Sequence, residues 1–367
     1  MSLRYVDEFR DRSHAQRIAN AISARCTRRW TIMEVCGGQT HAIVKYGIES
    51  MLPDGVQLLH GPGCPVCVTP QSTIDLAVEL VKRPRIVLCC FGDMMRVPGK
   101  HGDLQSARAA GGNVRVVYSP LDALELARKN PGLEIVFFAV GFETTAPANA
   151  MAVKLAHDSQ VRNFSILNAH VLIPPAMTAV LNSTAGRVQG FLAAGHVCTV
   201  TGFGHYHVIA ERFGVPIVVT GFEPVDILRG ILRCIDLLED RRHIVFNEYR
   251  RSVCEAGNEP ALSLLAEVFE VYDAEWRGLG MIPASGMRLR SPYRAYDASE
   301  RFDLAALPSD STVSCPSGDV LRGVLDPRDC PHFSTSCTPE HPLGPTMVSD
   351  EGACAAYHRY GVGLTHV

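Results

Sequence analysis

At 367 residues, with 47% apolar side chains and a formal charge of −3, the chain reads as a globular protein too long for one hydrophobic core. Two or three domains are expected. The near-neutral balance excludes an electrostatic nucleic-acid binder, and apolar runs such as 86–91 and 135–140 are far too short to span a bilayer. Thirteen cysteines, with no apolar export segment in Met1-Ser2-Leu3-Arg4-Tyr5-Val6-Asp7-Glu8, predict a cytoplasmic protein with clustered thiols that serve metal or redox chemistry.

In chain order, the pattern predicts a helix over about 11–25 and a short strand over 31–35. Cys36-Gly37-Gly38-Gln39-Thr40-His41 follows, with a helix over 40–51 and a turn at Pro53-Asp54-Gly55. The next strand, 57–60, runs into His60-Gly61-Pro62-Gly63-Cys64-Pro65-Val66-Cys67. The Gly-Pro-Gly lead-in demands a tight backbone path, and Thr69-Pro70 opens a helix over 71–82. Cys36, Cys64 and Cys67 thus sit at strand-to-helix turns, where a helix start favours the thiolate. On that ground Cys36 is expected to be deprotonated near neutral pH.

A β–α alternation continues with strands at 85–91, 115–118 and 134–140 and helices at 103–110 and 121–129. Near-continuous apolar strands point to a parallel sheet covered on both faces. A second series has strands at 165–169, 190–194 and 216–220. Residues 56–59 resemble 188–191 at an offset of 132, and 86–91 resemble 217–222 at 131, suggesting two related lobes. Helices are expected at 226–238 and 260–272. From Gly278 onward the chain is rich in Pro, Gly and Cys with little periodicity, which invites a metal staple.

Chemistry-bearing residues cluster where strands end: Gly92–Arg96, Gly141-Phe142-Glu143-Thr144-Thr145-Ala146-Pro147, Asn168–His170, Gly195–Cys198 and Gly204–His207. The carboxyl ends of parallel strands line functional crevices. Ordinary turn and cap chemistry explains each loop taken singly. Cys315, Cys330, Cys337 and Cys354, spaced C-x14-C-x6-C-x16-C, form a tetrathiolate candidate for zinc or an iron–sulfur cluster, and the spacing leaves the metal open. Cys89 and Cys90 fit a buried strand. Cys26, Cys198, Cys234 and Cys254 stand alone and need no role beyond that of small apolar residues.

The Cys36–His41, Gly61–Cys67 and Gly141–Pro147 motifs, with the four C-terminal cysteines, resemble the HypD hydrogenase maturation proteins along essentially the whole chain. The resemblance implies an α/β fold of two similar lobes, each a parallel sheet flanked by helices, plus a third, mixed, cysteine-rich domain carrying an iron–sulfur cluster. The corresponding divisions are an N-terminal segment 1–55 joining the third domain, lobes at 56–145 and 146–222, and an iron–sulfur domain at 223–367. It implies a [4Fe–4S] cluster on Cys315, Cys330, Cys337 and Cys354 and a redox-active Cys64/Cys67 pair. It also implies a role in assembling the Fe(CN)2CO group of [NiFe] hydrogenase, with iron held between Cys36 and a HypC-type chaperone and cyanide supplied by a HypE-type partner. The hydrogenase large subunit is then served indirectly, and the chain outside the complex is a monomer. His41 is a candidate to polarise the cyanide ligands, and Glu143, Thr144 and Thr145 to hydrogen-bond the iron's ligands or shuttle protons. Such a protein is a scaffold with a thiol-redox role and no independent small-molecule turnover. Two rivals are an iron–sulfur-dependent thiol–disulfide oxidoreductase and a zinc-stapled binding module. A working Cys64/Cys67 relay further requires the C-terminal segment to fold back against the Gly61–Cys67 loop.

Overall fold

Two parallel sheets and one hairpin carry the fold of the computed structural model, which describes residues 7–183, 187–304 and 315–361. Part of the expected cysteine-rich segment, 305–314, lies outside the described residues. The strands are β1 (Trp30–Glu34), β2 (Val56–His60), β3 (Ile86–Cys90), β4 (Val114–Val116), β5 (Glu134–Gly141), β6 (Phe164–His170), β7 (Gly190–Ala194), β8 (Ile217–Thr220) and β9 (Val245–Asn247). The first sheet has the order β2-β1-β7-β8-β9 and the second β4-β3-β5-β6. Every pairing in them is parallel.

Strand grouping differs from the expected pair of successive series. β1 and β2 join β7 to β9, and the chain between them builds the second sheet. The two segments matched at an offset of 132 thus include β2 and β7, which flank β1 in one sheet. β1, expected with the third domain, lies between β2 and β7 near the middle of the first sheet. Pairing of parallel strands is set by crossovers and tertiary packing, to which local periodicity is blind.

Alternation within the strands explains the burial. In β5, Val136, Phe138 and Val140 enter one apolar cluster, while Ile135, Phe137 and Ala139 enter another on the opposite face. In β7, Phe191 and Ala193 join that same first cluster, whereas Leu192 packs beneath the helices Arg12–Arg25 and Pro224–Glu239. One core therefore runs between the two sheets, and each sheet is covered on both sides.

Two local expectations change. The helix expected over 40–51 is two pieces, Gly37–Lys45 and Ile48–Met51, separated by Gly47 at φ 61°. The helix expected to reach residue 272 stops at Val268. An antiparallel hairpin follows, β10 (Phe269–Trp276) with β11 (Gly280–Leu289), and an irregularity between Tyr272 and Ala274 disrupts its period-two signal. The hairpin adjoins the end of β6, where Leu172 N–H donates to Ser285 O at 2.8 Å. No described helix is long and apolar enough to cross a membrane.

The C-terminal helix Ala353–Tyr360 packs on the helix Gly37–Lys45 through Val44, Ala356 and Tyr357. A small apolar cluster around Val320, Cys337, Met347 and Cys354 lies beside it. The two chain ends thus meet, and the C-terminal segment docks onto the first sheet's motif loops.

Candidate functional site

The Cys36 and Cys64 loops are built as one unit. β1 and β2 are adjacent, so the loops leaving their carboxyl ends emerge side by side. Gly61 N–H donates to Glu34 O, and Gly37 N–H donates to Gly63 O, both at 2.8 Å. A Cβ on Gly63 would collide with the backbone nitrogen of Cys36, so only glycine permits this approach. Cys64 and Cys67 are joined as a disulfide, and Cys64 Sγ accepts the Cys67 N–H at 3.2 Å. Cys64 caps the short helical turn Pro65–Val68, which carries Cys67, ahead of the helix Gln71–Leu80.

Cys36 is fully buried at the start of the helix Gly37–Lys45. Its Sγ lies 3.5 Å from His196 Nδ1, and its N–H donates to Glu34 Oε2 at 2.8 Å. The expected thiolate is not what this setting favours. Burial pushes the thiol well above its ordinary range, and the nearby Glu351 and Glu34 carboxyls push the same way. Desolvation outweighs the helix-start effect. The setting of Cys36 therefore favours the neutral thiol.

Beneath Cys36 runs a buried polar chain. Glu34 accepts hydrogen bonds from Cys36 N–H, the Thr40 hydroxyl and His60 Nδ1, the last at 2.8 Å. His60 Nε2 meets Tyr357 Oη at 2.9 Å, and that hydroxyl donates to Glu49 Oε2 at 2.8 Å. Because the Tyr357 proton points at Glu49, its oxygen accepts from His60, so both His60 nitrogens act as donors. Burial disfavours that cation, but the hydrogen bond and charge of Glu34 prevail and raise the His60 pKa. The chain links the Cys36 loop to the C-terminal helix.

The other site candidates are placed as follows. His41 Nδ1 lies 3.1 Å from Asp350 O and its ring meets Tyr360 edge-on, so it contacts the C-terminal segment. Glu143 is buried at the end of β5, where its Oε1 accepts the Ile173 N–H at 3.0 Å. Its Oε2 has no partner, and burial raises its pKa to about 7. Thr145 Oγ1 lies 3.3 Å from His170 Nε2, and the N-terminal turn of the helix Ala146–Asp158 follows Thr144 and Thr145. Tyr206, buried between the sheets, has Glu143, Cys198 and Cys36 all acting to raise its pKa beyond the dominant effect of burial.

Cys315, Cys330, Cys337 and Cys354 line a single cavity. Among the described residues, no three metal-ligating side chains converge on one point. A cluster with a ligand at each of four corners calls instead for thiols spread around a space. The donors fit such a group: Leu343 N–H points at Cys337 Sγ from 3.4 Å and the Thr346 hydroxyl at Cys354 Sγ from 3.2 Å, as suits thiolate ligands. Gly344 completes the cradle, since a Cβ there would strike Cys315 Sγ. The next residue, Pro345, places its carbonyl oxygen 3.8 Å from Cys67 Sγ. The C-terminal segment thus folds back onto the Gly61–Cys67 loop, as the relay requires. The Gly92–Arg96 loop helps hold it there: Arg96 donates to Pro339 O at 2.7 Å and Ser349 to Asp93 Oδ2 at 2.8 Å.

Sequence reasoning had assigned no role to Glu34, His60, His196, Tyr206 or Glu351. His60, His196 and Tyr206 stand in the motifs and strand-end loops singled out above, and that position was the available signal. Glu34 and Glu351 carried none, because their importance lies in standing close to Cys36 in the folded chain.

A family model described as "Hydrogenase formation hypA family" (HypD) matches residues 12–361. The chain is 48% identical over 369 residues to hydrogenase maturation factor HypD2 of Bradyrhizobium diazoefficiens, covering 98% of this chain and 97% of that protein. It is 45% identical over 371 residues to HypD of Rhodobacter capsulatus, covering 98% of each. To HypD of Escherichia coli (strain K12) it is 43% identical over 366 residues, again covering 98% of each.

Proposed function

The chain belongs to the HypD family of hydrogenase maturation factors, and on that premise we propose that it is the scaffold on which the Fe(CN)2CO group of [NiFe] hydrogenase is assembled. The observation that carries this reading is the fusion of the Cys36 and Cys64–Cys67 loops through the Gly37–Gly63 hydrogen bond, with the four-cysteine cavity behind them across Pro345. One buried soft ligand, one redox pair and one tetrathiolate candidate meet in a single corner of the molecule.

Cys36 supplies a thiolate to the iron substrate, and a HypC-type chaperone supplies the opposing ligand. Soft, low-spin iron bearing diatomic ligands suits sulfur donors. Glu34 fixes the Cys36 backbone through its N–H, and the surrounding apolar core excludes water from the metal's protein-facing side. Cyanide arrives from a HypE-type partner. Cys315, Cys330, Cys337 and Cys354 hold a [4Fe–4S] cluster, which when bound supplies one-electron chemistry close to Cys67. Reducing the Cys64–Cys67 disulfide consumes two electrons and two protons, and the dithiol formed lies beside the Cys36 loop.

The test is infrared spectroscopy of the chain purified with its HypC-type partner. The native complex is expected to show cyanide and carbonyl stretches, and Cys36→Ala to lose them while keeping its fold. Retained bands in Cys36→Ala overturn the assignment. An oxidoreductase acting only through Cys64–Cys67 predicts no such bands in either protein.

A further inference from the structure

Three consecutive residues lie against three sulfurs. A Cβ on Gly344 would strike Cys315 Sγ, the Pro345 carbonyl oxygen is 3.8 Å from Cys67 Sγ, and the Thr346 hydroxyl donates to Cys354 Sγ at 3.2 Å. Thr346 is 1% exposed and lines the four-cysteine cavity together with Cys315 and Cys354. Within three residues, this strap runs from the cavity to the Cys64–Cys67 disulfide.

The direction of the Thr346 hydroxyl is the informative detail. Thr69, Thr178 and Thr201 each donate to the carbonyl four residues earlier, the common outlet for a threonine in a helical turn. Thr346 donates instead to a sulfur eight positions later. A thiol sulfur is a weak acceptor, so a buried hydroxyl paired with one recovers little of what it gave up on leaving water. A thiolate is a strong acceptor, and the pairing is complete only when Cys354 is deprotonated, as it is in a metal–thiolate site. Leu343 N–H approaches Cys337 Sγ at 3.4 Å in the same manner. Ser317 hydrogen-bonds Cys315 in the same cavity, but Thr346 differs in adjoining Pro345, the residue against Cys67.

A hydrogen bond to a cluster sulfur withdraws negative charge and so favours the reduced, more negative state. One-electron reduction of a [4Fe–4S] core from 2+ to 1+ takes its electron from an external one-electron donor and breaks no bond in the protein. Resting on the cluster assignment of the proposed function, we propose that Thr346 is a positioning residue of this site: its hydroxyl, by donating to Cys354 Sγ, raises the reduction potential of the cluster at the end of the strap that reaches Cys67. The bond makes the cluster easier to charge with an electron and sets how strongly that electron can be passed on.

Thr346→Val keeps the side-chain shape and deletes the hydroxyl, whereas Thr346→Ser keeps the hydroxyl and deletes the methyl group. Each full-length chain is reconstituted anaerobically with iron and sulfide, and its iron content is measured. Reduction by dithionite is then followed at controlled potentials through the EPR signal of the reduced cluster. At the wild-type midpoint potential, Thr346→Val is expected to show a reduced-to-oxidised ratio about tenfold lower, equivalent to ~59 mV for one electron, with Thr346→Ser within about twofold of wild type. A Thr346→Val ratio within about twofold of wild type, or above it, overturns the proposal. A Thr346→Ser ratio shifted as far as that of Thr346→Val also overturns it, because the methyl group is then responsible. Thr346→Val that no longer holds about four irons does so too, since the hydroxyl then serves retention of the cluster. Wild-type chain that takes up no iron, or gives no EPR signal on reduction, refutes the cluster assignment itself. A loaded wild type with an unmoved variant refutes this inference alone.

Discussion

Replacing Glu143 by Gln separates a buried carboxyl from the histidines that titrate over the same range. Glu143 is buried, with one oxygen bonded to Ile173 N–H and the other unpaired, and its pKa rises from 4.5 to about 7 through desolvation. The folded state therefore holds a proton between those values that the unfolded chain has released. Stability from this group is full below about 4.5 and falls as pH rises toward 7. A shift of roughly 2.5 units corresponds to about 3 kcal/mol at about 1.4 kcal/mol per unit. Burial lowers His170 to about 3 and His196 and His205 to about 4, which acts in the opposite direction: the unfolded chain binds those protons first, so stability climbs up to about pH 6.5. His60, with its raised pKa, loses stability as pH rises above that value. These histidines are common to both proteins and cancel in the difference. Urea unfolding of wild type and Glu143→Gln from pH 4.5 to 7.5 should show the wild-type advantage shrinking by about 3 kcal/mol as pH rises. A difference that stays constant across that range refutes the buried, partnerless carboxyl.

Gly63→Ala forces a methyl group into the Cys36 backbone, and urea unfolding should show a loss of about 1–3 kcal/mol; a change within about 0.5 kcal/mol means the two loops are not locked together. Anaerobic reconstitution of the wild-type chain should load about four irons, whereas Cys337→Ser should bind fewer and destabilise the C-terminal segment, because metal binding there is folding free energy. One zinc per wild-type chain with no iron uptake rejects the cluster.

Local chemistry was legible in the residues. Apolar runs marked most strands, and Asp103 and Ser119 cap their helices by accepting N–H groups from Ser106 and Leu121. Gly61-Pro62-Gly63 announced a tight turn, and its structural purpose is the close approach of Gly63 to Cys36. The hairpin β10–β11 was hidden because an irregularity breaks its alternation and because glycine and proline in β11 read as loop. β9 was missed because three residues carry no period.

The amino-acid order alone determined the motifs, their family and the placing of thiols at strand ends, since each depends on neighbours a few residues apart. Only the tertiary structure decided that β1 and β2 join β7 to β9, and hence that Cys36, the Cys64–Cys67 disulfide and Pro345 share one corner. It alone reversed the expected charge of Cys36: a helix start favours the thiolate locally, but complete burial beside Glu351 and Glu34 disfavours it more strongly. Desolvation depends on everything packed around a group, and for Cys36 that includes His196 and Glu351, 160 and 315 positions along the chain.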